Sequence, residues 1–328
     1  MIHQVGDLIP TRDAFGDELL SLGAQVPELV VLEADISKST RTCRFAERFP
    51  GRFFQMGVAE ANMMVAAAGL STTGWIPVVS TYAIFASMRA CEQVRTQVAY
   101  PGLNVKIAVS HGGITPANDG VTHQATEDLG ILRTIPNMTV IMPADYYATR
   151  ALVKAAVAHR GPVYLRFTRD AVPVIYSPDD VFEIGCGKHL RSGGDVSLVA
   201  IGDMVCQALA AADLLAHRGI AADVLDIHTL KPLDDALILQ SAARTRHVVT
   251  VEDHQVRGGL GSAVAELLGE ELPTPLHRIG LRDTFAESGP YDRLLDKYGM
   301  DASAICAAAE RLVERWPGER QPKGEIPA

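Results

Sequence analysis

Short apolar runs alternate with longer, helix-patterned segments along almost the whole chain, and this alternation limits the fold more than any other feature of the sequence. Strands are expected at ELVVLEA (28–34), RFFQMGV (52–58), WIPVVST (75–81), NVKIAVS (104–110), MTVIMP (138–143) and PVYLRFT (162–168). Helix-like segments fall between them near 11–24, 59–70, 83–99, 125–133 and 145–159. Strands that are apolar nearly throughout are covered on both faces, which implies a parallel sheet between helical layers.

Residues 171–193, AVPVIYSPDDVFEIGCGKHLRSG, are richer in Pro, Gly and charge and read as a connection. A second alternation follows, with strands at 195–202, 220–227, 247–253 and 275–280. Its helices run through His217, near 234–243, after GGLGSAVAE, and from about Ala302 to Trp316. A chain of 328 residues exceeds one ordinary core. The expected architecture is therefore α/β with two doubly wound domains, 1–185 and a smaller 186–318. The last residues, 319–328, lack an apolar pattern and are expected to be a disordered tail. GGLGSA (258–263) lacks the third glycine of a dinucleotide fingerprint, so close turn packing is expected there in place of a nucleotide site.

Charge narrows the partners. Lys and Arg total 30 against 39 Asp and Glu, a formal net charge of −9, which disfavours nucleic acid and anionic membrane. A small phosphorylated substrate needs only a few local cations and stays open. The five cysteines are scattered without a CxxC pair, so free or buried thiols are expected in a reducing compartment. No signal peptide and no membrane-length apolar run is seen, and a cytoplasmic location is the expectation.

Three stretches carry candidate chemistry. In GVAEANMMVAAAGL (57–70), none of the ten residues after Glu60 is charged. Glu60 reads either as a first-turn carboxylate, favoured by the helix dipole by about 0.3–1 kcal/mol, or as a proton-sharing acid. The apolar run predicts a helix buried nearly all round, where a carboxyl group finds a partner or has its pKa raised. SHGGITPANDGVTHQATED (110–128) follows an expected strand, and such loops of parallel sheets are where ligands usually bind. His111, Asp119 and His123 read there as loop residues, as a polar substrate site or as metal ligands, though no i, i+4 histidine pair supports a metal. In TYAIFASMRACEQVR (81–95), Tyr82, Phe85 and Met88 recur at three-residue spacing on one expected helix face. That stripe reads as core or as a stacking wall for a flat ring.

Taken together, these stretches resemble the transketolase family of thiamine diphosphate enzymes. The matching strings are TRDAFGDELL, LEADISKSTR, FFQMGVAEANMMVAAAGL, TYAIFASMRACEQVR, DGVTHQATEDLGILRTIPNMTVIMPAD and LRFTRDAVP, followed by GDMVCQALAAADLLAHRGIAADVLDIHTLKPLD and VEDHQVRGGLGSAVAE. They run in the family's order from about residue 10 to 315 and cover its pyrimidine-binding and C-terminal domains. The family's diphosphate-binding domain carries a GDG motif, and no GDG occurs here. The resemblance therefore implies the small subunit of a split transketolase, inactive alone. Its partner would be a diphosphate-binding large subunit, with thiamine diphosphate shared between the two and Mg2+ held by that partner. Two such pairs would join as a dimer of heterodimers.

Roles follow from the resemblance residue by residue. Glu60 matches the glutamate that hydrogen-bonds a ring nitrogen of the cofactor's aminopyrimidine and favours its imino form. Tyr82, Phe85 and Met88 match the wall around that ring, with Met88 standing where the family often has a third aromatic. Asp35 matches an acidic position near the thiazolium. Arg12, Ser39 and Arg169 match positions that bind sugar phosphate. His111, Asp119 and His123 match positions that contact sugar hydroxyls and the carbonyl oxygen, with His123 the candidate for proton exchange. The usual DGPTHQ reads DGVTHQ here, with Val121 in place of proline. The implied reaction moves a two-carbon ketol unit from a ketose phosphate to an aldehyde.

Three other readings share this architecture. The beta subunits of 2-oxo acid dehydrogenases usually lack the DGxTHQ string. Deoxyxylulose phosphate synthases carry DGPTHQ but are single chains. A non-catalytic scaffolding subunit would be expected to lose Glu60 or the two histidines, and all three are present.

Overall fold

A computed structural model describes residues 3–317, so the expected tail lies outside the described residues. The strands are β1 (Leu8–Pro10), β2 (Leu29–Glu33), β3 (Phe53–Gln55), β4 (Ile76–Tyr82), β5 (Lys106–Ser110), β6 (Thr139–Ile141) and β7 (Val163–Arg166). They continue as β8 (Ala171–Pro173), β9 (Lys188–Arg191), β10 (Val196–Ala200), β11 (Ala222–Asp226), β12 (Thr229–Lys231), β13 (Val248–Gln255) and β14 (Leu276–Leu281). The first sheet has the order β12-β6-β7-β5-β4-β2-β3, and all of it except β12 is parallel. The second has the order β14-β13-β10-β11-β9, parallel except for β9. β2, β5, β7, β10 and β11 are buried along their whole length, as strands between two helical layers must be. Because the first sheet is parallel, Glu33, Tyr82, Ser110 and Arg166 end their strands on one shared edge.

The two halves are stitched together. β12 lies in the second half of the chain but pairs antiparallel with β6 of the first sheet, Thr229 opposite Ile141. β1 and β8 form a separate two-stranded ribbon, so part of the expected connection is strand. These elements, with β9 and the helices Ser37–Thr40, Cys43–Arg48 and Tyr291–Lys297, were not expected from the sequence. They are too short to show a period, and β8 and β9 lie in the Pro- and Gly-rich stretch.

Two expectations need correction. The helix Glu60–Ser71 is not buried all round: Met63, Met64, Ala67 and Ala68 pack on the sheet, but Asn62, Val65 and Gly69 are exposed. An apolar composition shows that a helix can be buried, not that this chain supplies the second cover. The segment 83–99 is not one α-helix. It contains π-helical stretches at Phe85–Arg89 and Val94–Ala99 around a short α turn, with Ala90 N–H donating to the Phe85 carbonyl at 3.1 Å. Tyr82 is the last residue of β4, so Tyr82, Phe85 and Met88 do not share an α-helical face.

At GGLGSA the helix Leu260–Glu271 begins with its amides already occupied: Leu260 and Gly261 N–H donate to the Glu252 carboxylate at 2.7 and 2.8 Å. Gly258 and Gly130 pack so closely that a Cβ on Gly130 would lie 3.2 Å from Gly258 Cα. That is the close turn packing expected. All five cysteines are free thiols. No helix among the described residues is long and apolar enough to cross a membrane.

The helix Thr11–Gln25 is fastened to the end of β7 by Phe15, which stacks on Phe167 with centroids 4.8 Å apart. Both rings are buried. Phe15→Ala should lower the unfolding free energy by about 3–5 kcal/mol, measured by urea denaturation, because a large core ring is lost with partial collapse at best.

Candidate active site

The site is assembled at the carboxyl edge of the first sheet. Tyr82 and Ser110 are register partners at the ends of β4 and β5. That pairing places the His111 ring on Tyr82, with centroids 3.8 Å apart and planes 25° from parallel. Phe85 stacks on Tyr82 at 5.6 Å. His123 meets the edges of Tyr82 and Phe85 at 5.7 and 5.8 Å. Four sequence-predicted residues from two segments, 81–95 and 110–128, thus form one ring cluster.

His111 is held hard. Its φ of 64° is left-handed, a conformation a non-glycine residue keeps only where its surroundings fix it. Its Nδ1 lies 2.8 Å from Ser110 Oγ. Burial first, then the charges of Arg12 and Arg169, with His123 and Arg41 behind them, push its pKa down to about 2. His111 is therefore a neutral hydrogen-bonding group at physiological pH.

Those charges form the second part of the site. Arg12, at the start of its helix, donates from Nη1 to the Ser39 carbonyl at 3.1 Å. Burial, followed by Arg41, lowers its pKa, with Arg169 acting in the same direction. Its buried Nε has no hydrogen-bond partner, so this cation group has an unfilled donor. Arg169 pairs with Asp119 at 3.5 Å and donates to the Pro116 carbonyl at 3.2 Å. Arg41 pairs with Asp13. Three guanidinium groups near one neutral histidine can bind an anion such as phosphate by planar, two-point contacts.

Glu60 begins its helix and is also buried, so the dipole reading and the partnered-acid reading describe the same residue. Its partner is Arg89, whose Nη1 lies 3.0 Å from each carboxylate oxygen. The Arg89 guanidinium lies over the Phe85 ring at 4.4 Å, linking Glu60 to the ring cluster.

Not every predicted residue joins. Ser39 contributes its backbone carbonyl to Arg12. Asp35 is exposed at φ 65°, and its amide donates to Gln55 Oε1 at 2.7 Å. Met88 is 47% exposed, turned outward by the π-helical stretch. Arg89, Arg41 and Glu33 were not singled out from the sequence. Glu33 is a buried carboxylate ending β2, and it accepts from Ile36 N–H at 2.8 Å and Thr40 Oγ at 3.2 Å. Burial pushes its pKa up. A charge inside the apolar run ELVVLEA was the available signal for it. Among the described residues, no three His, Cys, Asp or Glu side chains converge to hold a metal ion.

Known proteins similar to this chain belong to one family. The transketolase pyrimidine-binding domain profile matches residues 7–174, and the transketolase C-terminal domain profile matches 185–305. The 6-deoxy-6-sulfo-D-fructose transketolase subunit of Clostridium sp. (strain MSTE9) is 47% identical over 304 residues, covering 93% of this chain and 94% of that protein. The 1-deoxy-D-xylulose-5-phosphate synthase 1 of Geobacter sulfurreducens is 41% identical over 303 residues, covering 91% of this chain but 47% of that protein. A solved structure described as a split gene transketolase, an inactive beta4 tetramer, superposes with a TM-score of 0.86 at 50% identity. That match covers 93% of this chain and 98% of the other.

Two outcomes follow from the charges. Since the unfolded chain binds a proton at His111 near pH 6.5 and the folded chain does not until about 2, His111 favours the folded state fully above pH 6.5. That contribution is lost as pH falls below 6.5. Between pH 6.5 and 4.5 the wild type should lose about 2 kcal/mol more stability than His111→Asn, read from urea midpoints at each pH. Arg89→Met leaves the buried Glu60 carboxylate without this partner and should cost about 1–3 kcal/mol. Adding Glu60→Gln to that variant should restore most of the loss, measured by the same unfolding assay.

Proposed function

Because the chain belongs to the transketolase family, we propose that it is the pyrimidine-binding subunit of a two-subunit transketolase, active only with a separate diphosphate-binding subunit. The observation that carries this reading is the convergence at one sheet edge of the buried Glu60, the rings of Tyr82, Phe85, His111 and His123, and the cations Arg12, Arg41 and Arg169. When bound, thiamine diphosphate supplies the electron sink that lets the carbon–carbon bond beside a ketose carbonyl break and re-form. The residues fit such a group. Glu60 is a buried acid beside a flat ring wall, suited to a heteroaromatic ring that needs one proton-sharing contact.

In this reading Glu60 shares a proton with a nitrogen of the cofactor's aminopyrimidine, and Arg89 gives up at least one of the two carboxylate oxygens it now holds. Tyr82 and Phe85 hold the ring by stacking, while Met88 lies outside that wall. Arg12, Arg41 and Arg169 bind the phosphate of the sugar, with Ser39 acting through the backbone carbonyl that orients Arg12. Asp119 orients Arg169. His111, neutral, hydrogen-bonds the sugar's carbonyl or hydroxyl oxygens, and His123 exchanges the proton that the carbonyl oxygen gains and loses. Asp35 lies on an exposed turn, where the large subunit would bring it toward the cofactor. Mg2+ and the diphosphate fall to that subunit, and two such pairs form the dimer of heterodimers. The transfer is of a two-carbon ketol unit from a ketose phosphate to an aldehyde.

The test is reconstitution with the diphosphate-binding subunit and an assay of ketol transfer over a panel of ketose phosphates. The wild-type pair should turn over and the isolated chain should not. Glu60→Ala should lose at least about a hundredfold in rate while keeping its circular dichroism spectrum and its affinity for the large subunit. Near-normal turnover by Glu60→Ala, or turnover by the isolated chain, would sink the proposal. The likeness to the synthase of Geobacter sulfurreducens gives a second reading, in which the donor is a 2-oxo acid. Release of carbon dioxide from pyruvate by the reconstituted pair, without ketol transfer, would select it.

A further inference from the structure

We propose that the second half of the chain is a positioning element for this site: Asp253 of β13 clamps both ends of the loop 111–125 and so fixes His111 and His123. The inference rests on the roles proposed above for those two histidines.

Asp253 is fully buried, and its two carboxylate oxygens lie 3.0 and 2.9 Å from the Ile114 amide nitrogen that donates to them. The loop is pressed onto that carboxylate. Gly113 has φ 59°, and any Cβ built there would overlap the Asp253 side chain. The far end of the loop is tied to the same residue by its backbone. Arg166, also fully buried, donates from Nη2 to the Ala125 carbonyl at 3.0 Å and to the Asp253 carbonyl at 2.8 Å. A Cβ at Gly112 would overlap that arginine, so both adjacent glycines are needed for the close approach.

Neighbouring contacts from the second half continue the grip. Gln255 N–H donates to the Thr126 carbonyl at 2.8 Å, and Gln124 Nε2 donates to the Glu287 carbonyl at 3.2 Å. The loop that carries His111, Asp119 and His123 is therefore bounded on both sides by contacts to β13 and to the segment before the helix Tyr291–Lys297.

The strain at His111 gives this a purpose. A left-handed non-glycine residue persists only where surrounding contacts over-determine it. Ile114 lies three residues beyond it, and its amide donates to both oxygens of a fully buried side chain from the second half of the chain. Asp253 acts through the loop backbone, so it is a positioning residue.

The test uses the full chain, by hydrogen exchange with mass spectrometry, and the reconstituted enzyme, by steady-state kinetics. Asp253→Ala should speed amide exchange across 111–125 by at least about tenfold while β2, β4 and β5 keep wild-type protection. In the reconstituted enzyme it should lower kcat by at least about tenfold, with the dissociation constant for thiamine diphosphate unchanged. Asp253→Asn keeps one acceptor oxygen and should recover most of both properties. Gln124→Ala removes one neutral bond and should raise exchange over 117–124 with a smaller fall in kcat, and these two variants carry the comparison where Asp253→Ala does not fold. Wild-type loop exchange or unchanged kcat in Asp253→Ala, or in Gln124→Ala where Asp253→Ala does not fold, or a rise spread evenly over both halves, would overturn the proposal. The exchange readout needs no turnover. A reconstituted pair without ketol transfer would refute the functional reading and leave the clamp standing or falling on the loop alone.

Discussion

One buried guanidinium organises the molecule. Arg166 ends β7 with no exposure, and an isolated charge in that position would cost several kcal/mol. Its Nε lies 3.1 Å from Asp128 Oδ2, an ion pair without hydrogen-bond geometry, and Tyr164 donates to the same oxygen at 2.7 Å. Its Nη2 donates to the carbonyls of both Ala125 and Asp253, and its Nη1 reaches Met142 Sδ. Asp203 stands in the same cluster and accepts from the Tyr291 hydroxyl. One cation cannot neutralise three buried carboxylates. Burial pushes Asp203 and Asp253 up, so these groups hold protons more readily than ordinary aspartates. The network ties β7, the 111–125 loop and the second half of the chain into one unit. Beyond β7 the chain runs through Phe167, stacked on Phe15, and Thr168 to Arg169 in the cation group.

Much of this was legible in the sequence because it depended on local pattern. Long apolar strands gave the parallel sheet, and the loop after β5 gave His111, Asp119 and His123 in one span. A parallel sheet places its loops on one edge, so the meeting of Tyr82, Phe85, His111 and His123 follows from topology once the strands are known. The family resemblance supplied the individual roles, which periodicity could not. What stayed hidden was tertiary. Arg89 lies 29 residues from Glu60, so no local spacing pairs the two, although Arg89 stands four positions after Phe85. In the π-helical stretch Met88 is exposed, and Arg89 lies over the Phe85 ring and against Glu60. β12 was unreadable for a similar reason: three residues have no period, and their partner strand lies some ninety positions earlier, with Thr229 opposite Ile141.

The Glu60 helix shows how far composition reaches. Its run of small and apolar residues predicts a helix buried nearly all round, yet one face is covered by this chain and the other is not. The uncovered face carries Val65, 44% exposed, and Val58, two residues before the helix, is 71% exposed. Soluble chains seldom leave such residues grouped beside a buried acid without a use for them. Glu60 itself relies on a half-exposed arginine for its counter-charge. Such a contact is stable enough to fold with and weak enough to exchange for another partner, because solvent screens the outer half of the pair. Here the acid is buried, its ring wall and its cations are in place, and its counter-charge comes from a half-exposed side chain, Arg89.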